Sequence, residues 1–230
     1  MTVYFIGAGV GGIDYLTVKA HGLICRADVI IYDALADDRI LDLAPAHCLQ
    51  LNVGKRGGRV STPQDKINQL LVDYGQSHNL VIRLKSGDPG IFGRLTPELR
   101  AIAPYNISYE LIPGISSILA APLLAGWNLT EKTHGKHFVV ISGHNPHSLD
   151  WLILAQIDTI VIVMGAKNLS LIIDCLIRGD RHPHSPITII KNAGRTNQQI
   201  WQGTLDNIME KTKGLALSPC VIVIGNLIIN

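Results

Sequence analysis

The chain has 230 residues, enough for one large domain or two small ones with real cores. Hydrophobic residues make up 47% and charged residues 17%, which excludes a disordered chain. A net charge of +2 weighs against a general nucleic-acid binder, whose basic surface would show in the total. Aromatics are scarce at 5%, so aliphatic side chains must fill the interior. Cys25, Cys48, Cys175 and Cys220 form no CxxC pair, and their spacing suits neither a metal site nor a disulfide scaffold. They read as idle thiols in a reducing compartment. The first residues lack a basic stretch followed by a long apolar run, so no signal peptide is expected. No uninterrupted apolar run reaches the roughly 18 residues of a membrane span. The expectation is a cytoplasmic globular protein with no membrane or nucleic-acid partner.

In chain order, 3–6 reads as a strand ending at glycines, followed by a helix over 14–26. Strands follow at 28–32 and 50–53. Pro63 stands where a helix begins, with Ser61 and Thr62 as caps. That helix shows Ile67, Leu70, Leu71 and Tyr74 on one face, at helical spacing. Strands at 80–84 and 109–112 complete an alternation that predicts an α/β fold with a largely parallel sheet. Pro113-Gly114 precedes a helix through about Ala125, and the domain break is placed here: 1–113 as an N-terminal α/β domain, 114–230 as a second. The second half reads as buried strands at 138–141, 159–163, 187–190 and 220–225. A half-exposed strand is expected at 198–203, with helices at 169–178 and 205–213.

Gly7-Ala8-Gly9-Val10-Gly11-Gly12 follows a strand and satisfies G-x-G-x-x-G, and Asp33 closes the next strand about 20 residues on, as in a dinucleotide-binding unit. An NAD(P)- or FAD-dependent oxidoreductase is therefore one reading. Against it, a pyrophosphate needs the helix to start at the third glycine. Here Ile13 to Thr17 intervene, with Asp14 as an expected helix cap that would repel an anion.

Three further segments carry more chemistry. Val53-Gly54-Lys55-Arg56-Gly57-Gly58-Arg59 sets three cations among glycines, a local anion site. Arg83-Leu84-Lys85-Ser86-Gly87-Asp88-Pro89-Gly90-Ile91-Phe92-Gly93-Arg94 runs a strand into a Gly-Asp-Pro turn, at the strand end where open α/β sheets bind ligands. Ile112-Pro113-Gly114-Ile115-Ser116-Ser117 is another strand-end loop, with two hydroxyls that bond a ligand or cap a helix.

With Gly7-Ala8-Gly9 and Tyr32-Asp33-Ala34-Leu35, these segments resemble the tetrapyrrole (corrin/porphyrin) methylase family along essentially the whole chain. The likeness is greatest to members that methylate uroporphyrinogen III. The resemblance implies two α/β domains with an S-adenosylmethionine (SAM) cleft between them, commonly in a homodimer. It implies transfer of methyl groups from SAM to two pyrrole carbons of uroporphyrinogen III, giving precorrin-2 for sirohaem and cobalamin. By the same resemblance Asp33 is the proton acceptor and Lys55 the proton donor. Gly9, Val10, Ser86, Gly87, Asp88, Ile91, Ser116, Ser117, Met164 and Ala193 fall on SAM contacts. Arg56, Arg59 and Arg94, in a cation cluster with Lys55, Arg83 and Lys85, suit the carboxylates of the tetrapyrrole. No metal or covalent nucleophile is needed, because the electron-rich pyrrole carbon attacks the sulfonium methyl directly.

Four positions depart from the family pattern. Val10-Gly11-Gly12-Ile13 lacks the prolines and aspartate of its opening loop. Leu95-Thr96 replaces two glycines, Trp127-Asn128-Leu129-Thr130-Glu131-Lys132 lacks a histidine and an arginine, and Ser86 replaces a glycine. These changes gather in loops expected near the acceptor. They keep open a methylase of another precorrin or a non-catalytic homologue.

Overall fold

The computed structural model describes residues 1–54, 62–132, 136–225 and 228–229. The chain divides into two compact units, Met1–Ser116 and Ser117–Asn230.

In the first unit, strands β1 (Thr2–Gly7), β2 (Val29–Tyr32), β3 (Leu49–Asn52), β4 (Leu80–Lys85) and β5 (Ser108–Ile112) alternate with helices. The helices are α1 (Val18–Ile24), α2 (Asp38–Leu41), α3 (Gln64–Ser77) and α4 (Leu95–Ile102). The strands pair in the order β3-β2-β4-β1-β5, all parallel. A parallel sheet has both faces covered, so its central strands must be apolar on both sides. Ile6, Ile30, Ile82 and Leu84 pack on one face with Ala20, Leu23 and Ile24 of α1 and Ile40 and Leu41 of α2. Val3, Phe5, Val29, Ile31 and Val81 pack on the other with Ile67 and Leu71 of α3 and Ile102 of α4. The connections of β1 and β2 therefore leave toward one face and that of β4, which lies between them, toward the other. Such a divergence is where open α/β sheets bind ligands.

The local chemistry corrects several expected boundaries. The helix expected over 14–26 starts only at Val18, because Thr17 Oγ1 accepts from Ala20 N at 3.2 Å and caps it. Asp14 sits instead in a short 3-10 turn, Ile13–Tyr15. Pro63 is itself the cap residue of α3, and Ser61 lies outside the described residues. Neither α2 nor α4 was expected: α2 is a single turn, and α4 follows directly on a segment that reads as loop.

The second unit holds α5 (Ser117–Leu124), β6 (Trp127–Asn128), β7 (Phe138–Ser142), α6 (Trp151–Leu154), β8 (Thr159–Val163), α7 (Leu169–Arg178) and β9 (Pro186–Lys191). It continues with β10 (Gln199–Thr204), α8 (Ile208–Lys211), β11 (Cys220–Ile224) and β12 (Ile228–Ile229). Its main sheet runs β10-β9-β11-β8-β7; β7 and β8 are parallel and the other pairs antiparallel. Alternation splits its buried strands between two cores. Ile160, Ile162, Ile189, Ile222 and Ile224 meet Ile172, Ile173 and Leu176 of α7. Val161, Ile190, Val221 and Val223 meet Ile118 and Ala121 of α5. The helix expected over 205–213 is the shorter α8, because Asn207 Oδ1 accepts from Thr204 N at 3.0 Å and holds the preceding residues in a turn. Burial pushes the Cys220 thiol up to about 11, leaving little thiolate at neutral pH. Among the described residues no helix is long and apolar enough to cross a membrane.

Ile222 is fully buried at the centre of the second sheet. Ile222→Ala should lower the free energy of unfolding by about 2–5 kcal/mol, read by urea denaturation; a loss well below 1 kcal/mol would contradict this packing.

Candidate active site

The strand-end loops of the first unit are drawn together by glycine. Gly9 and Gly87 exchange backbone hydrogen bonds, N to O at 3.1 Å and 3.0 Å, which joins the loop after β1 to the loop after β4. Gly9 has φ +68°, a conformation that side chains resist, and a Cβ there would strike the Tyr15 carbonyl. A Cβ on Gly7 would lie 2.5 Å from both Gly114 Cα and the Gly87 carbonyl oxygen. The loops after β1, β4 and β5 thus meet backbone against backbone. Asp88 clamps them: Oδ1 accepts from Gly90 N at 2.8 Å, and Oδ2 from Gly114 N at 3.0 Å. Its carboxylate is therefore spent on the backbone of two loops. Around these ends Ile13, Leu35, Ile91, Phe92 and Ile115 are exposed, an apolar rim unusual for a free surface.

Below the rim lies a buried charge cluster that sequence inspection missed. Arg83 and Lys85 occupy alternate positions of β4 on the face that carries α4, and each is 2% exposed. Glu98 of α4 is 1% exposed; its Oε1 accepts from Arg83 Nε at 3.1 Å, Arg83 Nη2 at 3.0 Å and Lys85 Nζ at 2.9 Å. Its Oε2 accepts from Lys85 Nζ at 2.9 Å. Arg83 Nη2 also donates to Asp33 Oδ1 at 2.6 Å, and Asp33 is 32% exposed at the end of β2. Burial holds the Lys85 ammonium below the ordinary lysine range; Arg83 beside it acts the same way, and Glu98 opposes both. Arg83 and Lys85 are therefore not free to meet substrate carboxylates, which corrects their place in the expected cation cluster. Taking one partner from such a buried group costs about 3–5 kcal/mol.

The other expected residues fall as follows. Val10 is buried at 6%, while Ser116 and Ser117 are half-buried beyond β5. Arg94 is exposed, at φ 52° just before α4. Lys55, Arg56 and Arg59 lie outside the described residues. In the second unit Met164 follows β8 and Ala193 follows β9. These strands run in the same direction on either side of β11, so both residues sit at one end of that sheet. Met164 is 49% exposed and has φ 57°; Asn192, beside Ala193, has φ 52°. Phe92 and Arg94 share this left-handed backbone, at φ 50° and 52°. Each such residue stores on the order of 1–3 kcal/mol, and such strain concentrates at ligand sites. Asn168 steadies the loop after β8, its Nδ2 donating to Gly143 O at 2.8 Å.

Ser86 gives an independent sign of a ligand. Its Oγ is buried without a hydrogen-bond partner among the described residues, a condition folded proteins avoid unless another molecule completes it. Together with the glycine walls and the apolar rim, it fits a ligand with polar and apolar parts such as SAM. A dinucleotide fits less well, because α1 begins at Val18 and its amides stand away from Gly12.

The first unit is thus an α/β domain of parallel sheet and covering helices, with a candidate ligand site on its strand-end loops. The family model for Tetrapyrrole (Corrin/Porphyrin) Methylases matches residues 2–209. The uroporphyrinogen-III C-methyltransferase of Synechococcus elongatus is 47% identical over 226 residues, covering 98% of this chain and 93% of that one. The S-adenosyl-L-methionine-dependent uroporphyrinogen III methyltransferase of Methanosarcina barkeri is 36% identical, with 98% and 91% covered. The structure of uroporphyrin-III C-methyl transferase from Thermus thermophilus complexed with S-adenyl homocysteine superposes with a TM-score of 0.84, at 30% identity and 98% coverage of both chains. The chain belongs to the tetrapyrrole (corrin/porphyrin) methylase family.

Asp88→Ala leaves two loop amides without an acceptor. It should cost about 1–3 kcal/mol in denaturation and weaken S-adenosylhomocysteine binding in calorimetry. Unchanged affinity in the folded variant would separate this clamp from the ligand site.

Proposed function

We propose that this chain is a SAM-dependent C-methyltransferase that adds two methyl groups to uroporphyrinogen III, giving precorrin-2 for sirohaem and cobalamin synthesis. The observation that carries the reading is 47% identity over 98% of the chain to the Synechococcus elongatus enzyme. Ser86, Gly87 and Asp88 form the turn that holds SAM, with Gly9, Val10 and Ile91 beside it. Ser116 adds a hydroxyl from the loop after β5, and the family resemblance assigns SAM contacts to Ser117, Met164 and Ala193 as well.

SAM supplies a methyl group on a sulfonium, a carbon already open to attack. The pyrrole carbon forms the new C–C bond as the S–CH3 bond breaks, and S-adenosylhomocysteine leaves with the sulfur's electron pair. The positive charge passes to the macrocycle, which sheds a proton to regain neutrality. Asp33 accepts that proton as general base, and Lys55 donates where the macrocycle must be protonated. Alignment of the methyl and the attacking carbon supplies the remaining rate enhancement. Arg56, Arg59 and Arg94 hold the carboxylates of the substrate. The reading includes a cytoplasmic homodimer, the association state being open to gel filtration.

Incubation with SAM and uroporphyrinogen III without oxygen should give mass gains of one and then two methyl groups. SAM binding without methylation would favour another precorrin or a non-catalytic homologue, and the substituted loop Val10-Gly11-Gly12-Ile13 is what motivates those readings. Binding of NAD(P) without SAM would overturn the proposal. Asp33→Asn should lower turnover by about 100-fold or more. Lys55→Ala should reduce turnover while leaving SAM affinity in place, and loss of SAM binding in a folded Lys55→Ala would refute its role as donor.

A further inference from the structure

We infer that Glu98 is a positioning residue for the Asp33 carboxylate, acting through the guanidinium of Arg83. The inference rests on the reading of Asp33 as proton acceptor and extends it into the interior of the first unit.

The geometry is that of a rigid fork. A guanidinium is planar, so fixing one of its edges fixes the direction of every N–H. Glu98 Oε1 fixes the edge made by Arg83 Nε, at 3.1 Å, and Nη2, at 3.0 Å. Nη2 carries two hydrogens. With one on Glu98, the other is aimed at Asp33 Oδ1, 2.6 Å away. Nη1 is held separately by the carbonyls of Leu84 at 3.2 Å and Ile31 at 3.4 Å. Glu98 is in turn fixed by Lys85 Nζ, at 2.9 Å from each of its oxygens. Orientation passes from Lys85 to Glu98, to Arg83 and to Asp33. Of these groups, Asp33 alone reaches the surface, at 32% exposed against 1–2% for the others. Glu98 is too deep to touch substrate. Neutralising two buried cations would require an acid somewhere near them, but would not require its oxygen on the edge that directs Arg83 toward Asp33.

The test compares Glu98→Gln with the wild type in the presence and absence of Asp33. In the wild-type background Glu98→Gln should lower kcat by roughly tenfold to a hundredfold. The KM for uroporphyrinogen III and the affinity for S-adenosylhomocysteine should stay within about twofold. Combined with Asp33→Asn, the same change should cost nothing further, because the group it positions is already gone. A structural role would instead lower folded yield and melting temperature, leaving kcat per folded molecule intact or multiplying with Asp33→Asn. Should Glu98→Gln fail to fold, Lys85→Met/Glu98→Gln removes one cation with the acid, and the same fall in kcat is expected. Full kcat in either folded variant overturns the inference. Crystal structures provide a readout that needs no turnover: in Glu98→Gln the Asp33 carboxylate should leave its wild-type position. An unmoved Asp33 refutes positioning by Glu98, even in a chain that methylates nothing. Failure of the wild type to methylate uroporphyrinogen III counts instead against the proposed function.

Discussion

The first unit is organised by a desolvation constraint. Its central strand β4 carries two cations into the interior, and a buried charge is tolerated only when paired and hydrogen-bonded. Glu98 meets that demand from α4, so the helix cannot slide or rotate along the sheet without stranding charge. The position of α4 fixes the loop that precedes it, and that loop contains the Ser86-Gly87-Asp88 turn. The clamp by Asp88 then ties this loop to Gly114 beyond β5. Interior electrostatics and surface loop geometry are therefore one mechanical system, running from Lys85 to the glycine contacts at the strand ends.

Much of the architecture was legible in the amino-acid order. Aliphatic runs such as Ile160-Val161-Ile162-Val163 need both faces covered. The alternation of such runs with helical spacing leads directly to layered α/β units. The helix α7 matches its expected span because Leu169, Ile172, Ile173 and Leu176 recur at helical spacing and all point into one core. The boundaries that moved were set by side-chain capping that competes locally. Thr17, rather than Asp14, caps α1 by accepting from the amide of Ala20, and the choice depends on how the chain leaves Gly12.

The site was legible in part, for a physical reason. Glycine motifs advertise close backbone approach, and Gly7, Gly87 and Gly114 do meet. Charge is harder to read, since a sequence lists cations without saying which way they face. Arg83 and Lys85 look like surface groups reaching for a polycarboxylate, yet both lie inside. The available clue was their setting: two cations at alternate positions among Val81, Ile82 and Leu84 must share the exposure of that strand. They then require an acid from a neighbouring element, and Glu98, between Leu95 and Ile102 on the inward face of α4, is well placed to supply it. Ser86 left no such clue, because an unpartnered hydroxyl is a property of its surroundings and not of its residue type.

The cluster has one more consequence, which concerns ionic strength. Asp33, Arg83, Lys85 and Glu98 pair two acids with two bases, so together they add no net charge to the molecule. Dissolved ions screen charges that face water and scarcely reach those enclosed by protein. The alignment of Arg83, Glu98 and Lys85, at 1–2% exposed, is thus insulated from the salt content of the surroundings. Arg94, by contrast, faces water, so its attraction for any anion remains open to screening. Added salt should therefore weaken attraction at exposed cations while leaving the buried Arg83–Glu98–Lys85 contacts intact.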